Sequence, residues 1–175
     1  MPSLDPESGT YQELTTLDAT LSTKIPSSLS FVQAASIPLG YYAAYVGLFH
    51  PTAMGLPPPT SEPTDFDQPI LVWGAGSIVG RSVIQLLSLA GYKNVLAVAS
   101  AHWFSELKTY GAKVFDYKDQ DVVNKIKGAL DGKDLRLAYD VISLPPSLAE
   151  VAKLISPGGR VSDLFHACGP KILRK

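Results

Sequence analysis

The chain has a single cysteine, Cys168, so no disulfide can close within it and no cysteine-rich zinc site can form. Histidine is nearly as scarce: His50, His102 and His166 complete the set of soft ligands, too few for a metal cluster, and no metal is expected. An excess of charge of one sign is also missing. The 15 Lys and Arg against 16 Asp and Glu leave a formal net charge of −1, which gives nucleic acid no basic field to bind. No Lys/Arg-rich run or basic amphipathic helix suggests a membrane surface, and no apolar run is long enough to span a bilayer. Residues 1–10 are polar and proline-punctuated, without the charged-then-apolar order of a secretory leader. These absences leave a reducing, cytoplasmic setting and small-molecule partners as the expectation.

What is present is an ordinary hydrophobic fraction of 46% over 175 residues, enough for one sizeable core. The organising stretch is Ile70-Leu71-Val72-Trp73-Gly74-Ala75-Gly76-Ser77-Ile78-Val79-Gly80: an apolar run, a glycine-rich turn, then a helical pattern continued by Val83, Ile84, Leu87 and Ala90. Glycines let the backbone turn tightly and approach a phosphate, and the free N–H groups of the following helix favour an anion there. Gly74, Gly76 and Gly80 are spaced one residue longer than G-x-G-x-x-G. Alone, that spacing fits either a pyrophosphate cradle or a ligand-free strand-to-helix connection. The run downstream favours the cradle.

That run alternates apolar segments with helical ones. Strands are predicted at Ile70–Trp73, Val95–Ala99, 114–116, 138–142 and 160–164, the last continuing to Phe165. Helices are predicted after Gly80 through Ala90, over 101–110, from an Asp119 cap through Leu130, and over 147–155. Alternation of this kind implies an α/β fold with a doubly wound parallel sheet. Ahead of it, the Thr-rich segments 11–16 and 20–25 read as strands bounded by Asp18 and Pro26. Ser30 with Gln33 forms a capping-box signature for a helical stretch 31–49 that breaks near Pro38. Residues 50–69 carry six prolines and read as a surface loop.

The cofactor class is argued from another absence. A dinucleotide fold that prefers NAD carries an Asp or Glu about 20 residues past the glycines, where it holds the ribose hydroxyls and would repel a 2′-phosphate. Residues 91–105 contain no acid, and the second strand runs into Ser100-Ala101-His102, so NADPH is the expected cofactor. Ser100 fits either a phosphate contact or a helix cap. His102 fits either a partial charge near phosphate or solvated surface, and Tyr117 either the adenosine end or a wet edge. Trp103 and Phe104 read as packing residues, and Asp140 as structural. No Gly-x-Ser-x-Gly elbow or paired-histidine helix offers a different chemistry.

Taken together, these residues resemble the medium-chain dehydrogenase/reductase superfamily in its zinc-independent quinone- and enoyl-reductase branch, with fungal trans-acting enoyl reductases the nearest likeness. Carrying it are Lys24-Ile25-Pro26-Ser27-Ser28-Leu29-Ser30-Phe31, Gln33-Ala34-Ala35, Ile37-Pro38-Leu39, the long glycine turn, Gly111-Ala112, Phe115-Asp116-Tyr117 and Ser156-Pro157-Gly158-Gly159. The resemblance implies a Rossmann-like cofactor domain, with Gly74, Gly76, Ser77, Ile78, Val79 and Gly80 at the pyrophosphate and Ser100, His102 and Tyr117 at the adenosine 2′-phosphate. It implies hydride transfer from NADPH to an activated C=C or a quinone. Two positions depart from it: Ala43 stands where a threonine is usual, and Trp103 where a lysine often contacts the 2′-phosphate. By the same resemblance, residues 1–25 are remnant strands of a GroES-like barrel, 26–69 junction helices and a Pro-rich loop, and 70–175 an incomplete cofactor domain. A truncated member is expected, active or reduced to a nucleotide- or partner-binding fragment. Self-association or a partner polyketide synthase is the macromolecular expectation, and no residue stands out as a catalytic acid.

Overall fold

The computed structural model describes Gly9, residues 11–61 and 67–164, and the backbone of Lys171–Ile172. Met1–Ile37 and Pro38–Lys175 form two compact units.

In the first unit, residues 11–25 carry no strand, where strands are expected at 11–16 and 20–25. Asp18 accepts hydrogen bonds from the Thr20 amide (2.8 Å) and hydroxyl (2.7 Å), which closes a 3₁₀ turn at Ala19–Leu21 instead of an extended edge. Short polar side chains that bond the local backbone compete with strand formation in this way. Helix α1, Phe31–Ser36, begins as its sequence predicts: Ser30 Oγ accepts from the Gln33 amide and Gln33 Oε1 from the Ser30 amide, at 3.2 and 2.9 Å. The expected break follows, Ile37 capping α1 before α2 opens at Pro38.

The second unit is α2 (Pro38–Phe49), β1 (Ile70–Trp73), α3 (Ile78–Leu89), β2 (Val95–Ala99), α4 (Phe104–Thr109), β3 (Lys113–Asp116), α5 (Val122–Ala129), β4 (Leu137–Asp140), α6 (Pro145–Leu154), β5 (Arg160–Asp163) and β6 (Lys171–Ile172). The sheet order is β3-β2-β1-β4-β5-β6, parallel through β5, with the short β6 antiparallel at the edge. The five parallel strands are those the sequence predicts; β6 is an addition.

Strands β1 and β2 are buried at every residue, because helices cover both faces. Ile70 and Val72 pack on the side of α2, α3 and Leu107 of α4, while Leu71 and Trp73 pack on the side of α5 and α6. Tyr139 of β4 ties α2 to the sheet: its hydroxyl donates to the Ala43 carbonyl at 2.9 Å. Gly47 makes this possible, since a Cβ there would lie 2.4 Å from the Tyr139 oxygen.

Three boundaries differ from expectation for local reasons. Strand β4 stops at Asp140, short of Ile142, because the Asp140 carboxylate takes the Ile142 and Ser143 amides. Helix α5 is preceded by Asp121 rather than capped by Asp119, whose carboxylate instead accepts from the Asp121 amide at 2.9 Å and pairs with Lys125. Helix α6 starts at Pro145, where the absent proline N–H would in any case be unpaired. The Pro-rich connection 50–69 carries no helix or strand among its described residues. Phe165, His166 and Cys168 lie outside the described residues.

Candidate functional site

β1 lies between β2 and β4, so the chain winds away in opposite directions on its two sides, and the carboxyl end of β1 is the topological switch point of the sheet. The glycine turn sits there. Amides of Gly74 and Ala75 both donate to the Val98 carbonyl, at 3.0 and 2.9 Å, so the turn is anchored to β2 as it leaves β1. Gly74 has φ +83°, which an L side chain rarely adopts. Gly80 serves a different need: a Cβ on it would sit 2.3 Å from the Gly74 carbonyl oxygen, so only glycine lets α3 approach the turn this closely. Ser77 caps α3, accepting from the Gly80 amide at 3.0 Å and donating to the Gly74 carbonyl at 2.9 Å.

A cavity of about 490 Å³ opens on this turn, within the size range of small-molecule sites. Its floor is Trp73, Gly74, Gly76 and Ser77; the ends of β2 and β3 contribute Ser100, Trp103 and Tyr117. The opposite wall is Ile142, Leu144, Pro146 and Ser147, from the loop after β4 and the first turn of α6. Of the site residues expected from sequence, Gly74, Gly76, Ser77, Ser100 and Tyr117 therefore meet in one cavity. Ile78, Val79, Gly80 and His102 do not line it. The Ile78 side chain is largely exposed and touches the Gly40 position, Gly80 is buried under the turn, Val79 packs on the core, and His102 is exposed beside Trp103.

Ser100 precedes the short 3₁₀ turn Ala101–Trp103 without capping it through its side chain. Its role as a cap, open from sequence, is thus not the one it plays. Trp103 does pack, as expected, yet it also faces the cavity: a Cβ on Gly76 would be 2.3 Å from its Cδ1. The Arg81 guanidinium lies 4.3 Å from the Trp103 ring centre and pairs with Glu106 at 3.3 Å. A cation is thus held beside the aromatic wall, with its buried Nε unpartnered among the described residues.

The wall formed by residues 142–147 was not read from sequence, and its organiser is Asp140. That carboxylate is fully buried and accepts from the Ile142 amide (3.0 Å), the Ser143 amide (3.1 Å) and the Ser147 hydroxyl (2.6 Å). Burial pushes its pKa up; the three donors pull the other way, and Asp163 on the neighbouring strand adds to the rise. Ser143 is held at φ +57°, its hydroxyl donating to the Asp140 carbonyl and accepting from the Leu164 amide, each at 2.9 Å. The available signal in sequence was an acid ending a strand just before Ser143 and Pro145-Pro146-Ser147. Among the described residues no group of three or more His, Cys, Asp or Glu is placed to hold a metal ion, and no helix is long and apolar enough to cross a membrane.

A parallel sheet of this order with a ligand-sized cavity at its switch point defines a Rossmann-like nucleotide-binding fold. The chain is similar to members of the medium-chain dehydrogenase/reductase superfamily, a family of oxidoreductases. A family profile described as zinc-binding dehydrogenase matches residues 79–163. The chain is 34% identical over 171 residues to a trans-enoyl reductase of Gibberella fujikuroi, covering 97% of this chain and 46% of that protein. It is 41% identical over 131 residues to the dehydrogenase pigH of Monascus ruber, covering 71% of this chain and 35% of the relative. A quinone oxidoreductase from Pseudomonas syringae superimposes with a TM-score of 0.63 at 25% identity, over 79% of this chain and 40% of the other. The chain thus spans less than half the length of these relatives.

Proposed function

We propose that this chain forms the NADPH-binding part of an oxidoreductase of the enoyl- or quinone-reductase type. The observation that carries the reading is the cavity at the switch point, whose β2 end presents the uncommitted Ser100 hydroxyl and no carboxylate. The residues present fit the cofactor. The turn at Gly74 and Gly76 and the capped start of α3, with the backbone of Ile78 and Val79, would hold the pyrophosphate. Ser100 and Tyr117 would face the adenosine ribose and its 2′-phosphate, with His102 nearby outside the cavity. Bound there, NADPH supplies a hydride for an activated C=C or a quinone.

This chain's own share is binding and orientation. Ile142, Leu144 and Pro146 exclude water from one side, while the glycine turn fixes the other. Tyr117, assigned above to the adenosine end, is the only titratable side chain lining the cavity among the described residues, so no other acid–base group is offered to the reacting atoms there. That favours a second reading alongside the first: a cofactor-binding module without turnover of its own. In either reading, residues 1–25 correspond to the end of a substrate domain, 26–69 to a junction and 70–175 to the cofactor domain. An enoyl group, as in the name of the trans-enoyl reductase relative, is the proposed acceptor, and a polyketide synthase that carries it as a thioester the proposed partner.

Titrating the chain with NADPH and with NADH, following the emission of Trp73 and Trp103 at the cavity, tests the cofactor assignment. Tighter binding of NADPH supports it, and equal affinity or preference for NADH refutes it. NADPH oxidation measured with quinone and enoyl-thioester acceptors separates the two readings: turnover supports the enzyme, and binding without turnover supports the module.

A further inference from the structure

The residue with the least obvious purpose in this fold is Asp140. It is a fully buried carboxylate at the end of a central strand, does not itself line the cavity, and pairs with no cation in any contact described. Burying a charge in this way is unfavourable unless donors surround it. The donors it collects all come from one place: the Ile142 and Ser143 amides and the Ser147 hydroxyl, at 3.0, 3.1 and 2.6 Å. Of the segment so gathered, Ile142, Leu144, Pro146 and Ser147 form the cavity wall opposite the glycine turn.

We infer that Asp140 is a positioning residue for cofactor binding: its carboxylate fixes the 142–147 wall against the glycine turn at the spacing the dinucleotide requires. The inference rests on the cofactor reading above. The contact that transmits it is Ile142. Its side chain fills the space over Gly74, where a Cβ would come within 2.7 Å of Ile142 Cγ1. The Ile142 amide is itself held by Asp140, so the height of the wall over the turn is set at the carboxylate.

Ser147 has one hydroxyl proton. It lies closer to the Asp140 carboxylate (2.6 Å) than to the Leu144 carbonyl (3.0 Å), so the proton goes to the carboxylate, and its lone pairs remain to receive the Leu144 amide at 3.3 Å. This ties the first turn of α6 into the same centre. Ser143, in the left-handed region and bonded to Leu164 of the β5 end, fixes the loop from the other side. An apolar residue at 140 would leave two amides without their acceptor and the Ser147 hydroxyl with the Leu144 carbonyl alone. Asparagine would not: its carbonyl oxygen can accept both amides, while its NH₂ donates to Ser147 and the Ser147 proton moves to the Leu144 carbonyl.

The test uses the full chain, with Asp140→Leu, Asp140→Asn and Ser147→Ala. Without ligand, amide hydrogen exchange should show Ile142 and Ser143 losing about tenfold or more in protection in D140L, with the β4 amides keeping theirs, while D140N preserves the wild-type pattern. With NADPH, followed by its own fluorescence, the dissociation constant should rise about tenfold or more in D140L. It should stay within about threefold of wild type in D140N and rise measurably in S147A, which keeps the comparison open should D140L fail to fold. Unchanged loop protection in D140L, equal impairment of D140N and D140L, or undiminished affinity in S147A would overturn the assignment. Wild-type chain that binds no NADPH would refute the cofactor reading instead, and the exchange arm would still decide whether Asp140 holds the wall.

Discussion

Two glycines in two helices should respond to the same substitution with opposite signs. Replacing glycine by alanine inside a helix removes backbone entropy from the unfolded chain and gains about 0.8–1 kcal/mol, provided the methyl group has room. At Gly128 in α5 nothing lies within 4 Å of the added Cβ, so Gly128→Ala should stabilise by about 0.5–1 kcal/mol, discounted for its place near the helix end. At Gly80 in α3 the Cβ would lie 2.3 Å from the Gly74 oxygen and 2.7 Å from Ala75 Cα. An ordinary carbon–oxygen contact is about 1 Å longer, and both obstacles are backbone, so no rotamer change relieves them. Either α3 lifts or the turn flattens, and overpacking of this kind costs about 1–3 kcal/mol, at the upper end when only backbone can yield. Set against the propensity gain, Gly80→Ala should be net destabilising by about 1–2 kcal/mol. For a unit of this size that corresponds to a fall of roughly 3–8 °C in melting temperature. Paired urea or thermal unfolding of the two variants measures both, and NADPH titration of Gly80→Ala should show weakened binding as the helix start moves from the turn. A Gly80→Ala protein as stable as wild type would refute the claim that turn and helix are in forced contact. A destabilised Gly128→Ala would show that the propensity term is not being read cleanly.

Ser77→Ala removes the cap that accepts the Gly80 amide and should cost about 1 kcal/mol by denaturant unfolding. Tyr139→Phe deletes a bond to Ala43 in a buried setting and should cost about 1–2 kcal/mol, leaving the carbonyl to its helical partner. In the wild-type protein, burial pushes the Tyr139 phenol up to about 12 from an ordinary value of 10.0. The unfolded chain therefore loses that proton first, and stability falls as pH rises from 10.0 towards about 12; a Tyr139→Phe protein whose stability falls as steeply over that window would contradict this. Ser100→Asp places a carboxylate at the end of β2 and should lower the NADPH-to-NADH affinity ratio at least about tenfold, read by fluorescence titration of both cofactors. An unchanged ratio would remove Ser100 from the adenosine end.

Much of the sheet was legible because its strands are short apolar runs covered on both faces, and β1, β2 and β4 are each buried throughout. Their shortness and flanking turn residues, together with helical spacing elsewhere, separate such runs from the helices with their inward Val83, Ile84, Leu87 and Val122, Ile126. The failures share one cause. At 11–25 the Thr-rich pattern suggested strands, yet strand formation depends on a partner outside the segment, whereas the Asp18 turn needs only Thr20. At 138–142 the apolar pattern continues, and what ends β4 is the Asp140 carboxylate reaching forward to two amides, which hydropathy does not register. The cavity wall of residues 142–147 was missed for the same reason. Trp103 shows a subtler limit: its packing role was readable, but that the packed ring also faces the cavity depends on Gly76 presenting no side chain to it.

The cavity follows from how four parallel strands end. A strand inside a sheet has every amide and carbonyl paired; where it stops, the next polar groups need other partners. Each of β1 to β4 finds a different one. β1 borrows the Val98 carbonyl for two successive amides and turns at Gly74; β2 passes into a 3₁₀ turn that leaves the Ser100 hydroxyl uncommitted. β3 leads on to Tyr117, whose amide donates to the Ala99 carbonyl at 3.3 Å and whose half-exposed ring borders the cavity. β4 ends in a carboxylate that gathers the following loop. Three of these endings satisfy the local backbone within the protein. At β2 a side-chain oxygen is left over, and at the start of α3 the cap takes only the Gly80 amide, leaving Ile78 and Val79 at the helical positions whose N–H groups have no intrahelical acceptor. A ligand that completes this arrangement must bring acceptors to both places at once, separated by the span of the cavity. On the proposed reading a dinucleotide would do so, with pyrophosphate at the helix and phosphorylated ribose at Ser100, and a mononucleotide phosphate would reach only one. Competition by inorganic pyrophosphate and by adenosine 2′-phosphate against bound NADPH should accordingly be additive, each displacing it weakly and the pair together displacing it at concentrations where neither acts alone. If either fragment displaced NADPH completely while the other had no effect, the two-ended reading of the cavity would be wrong.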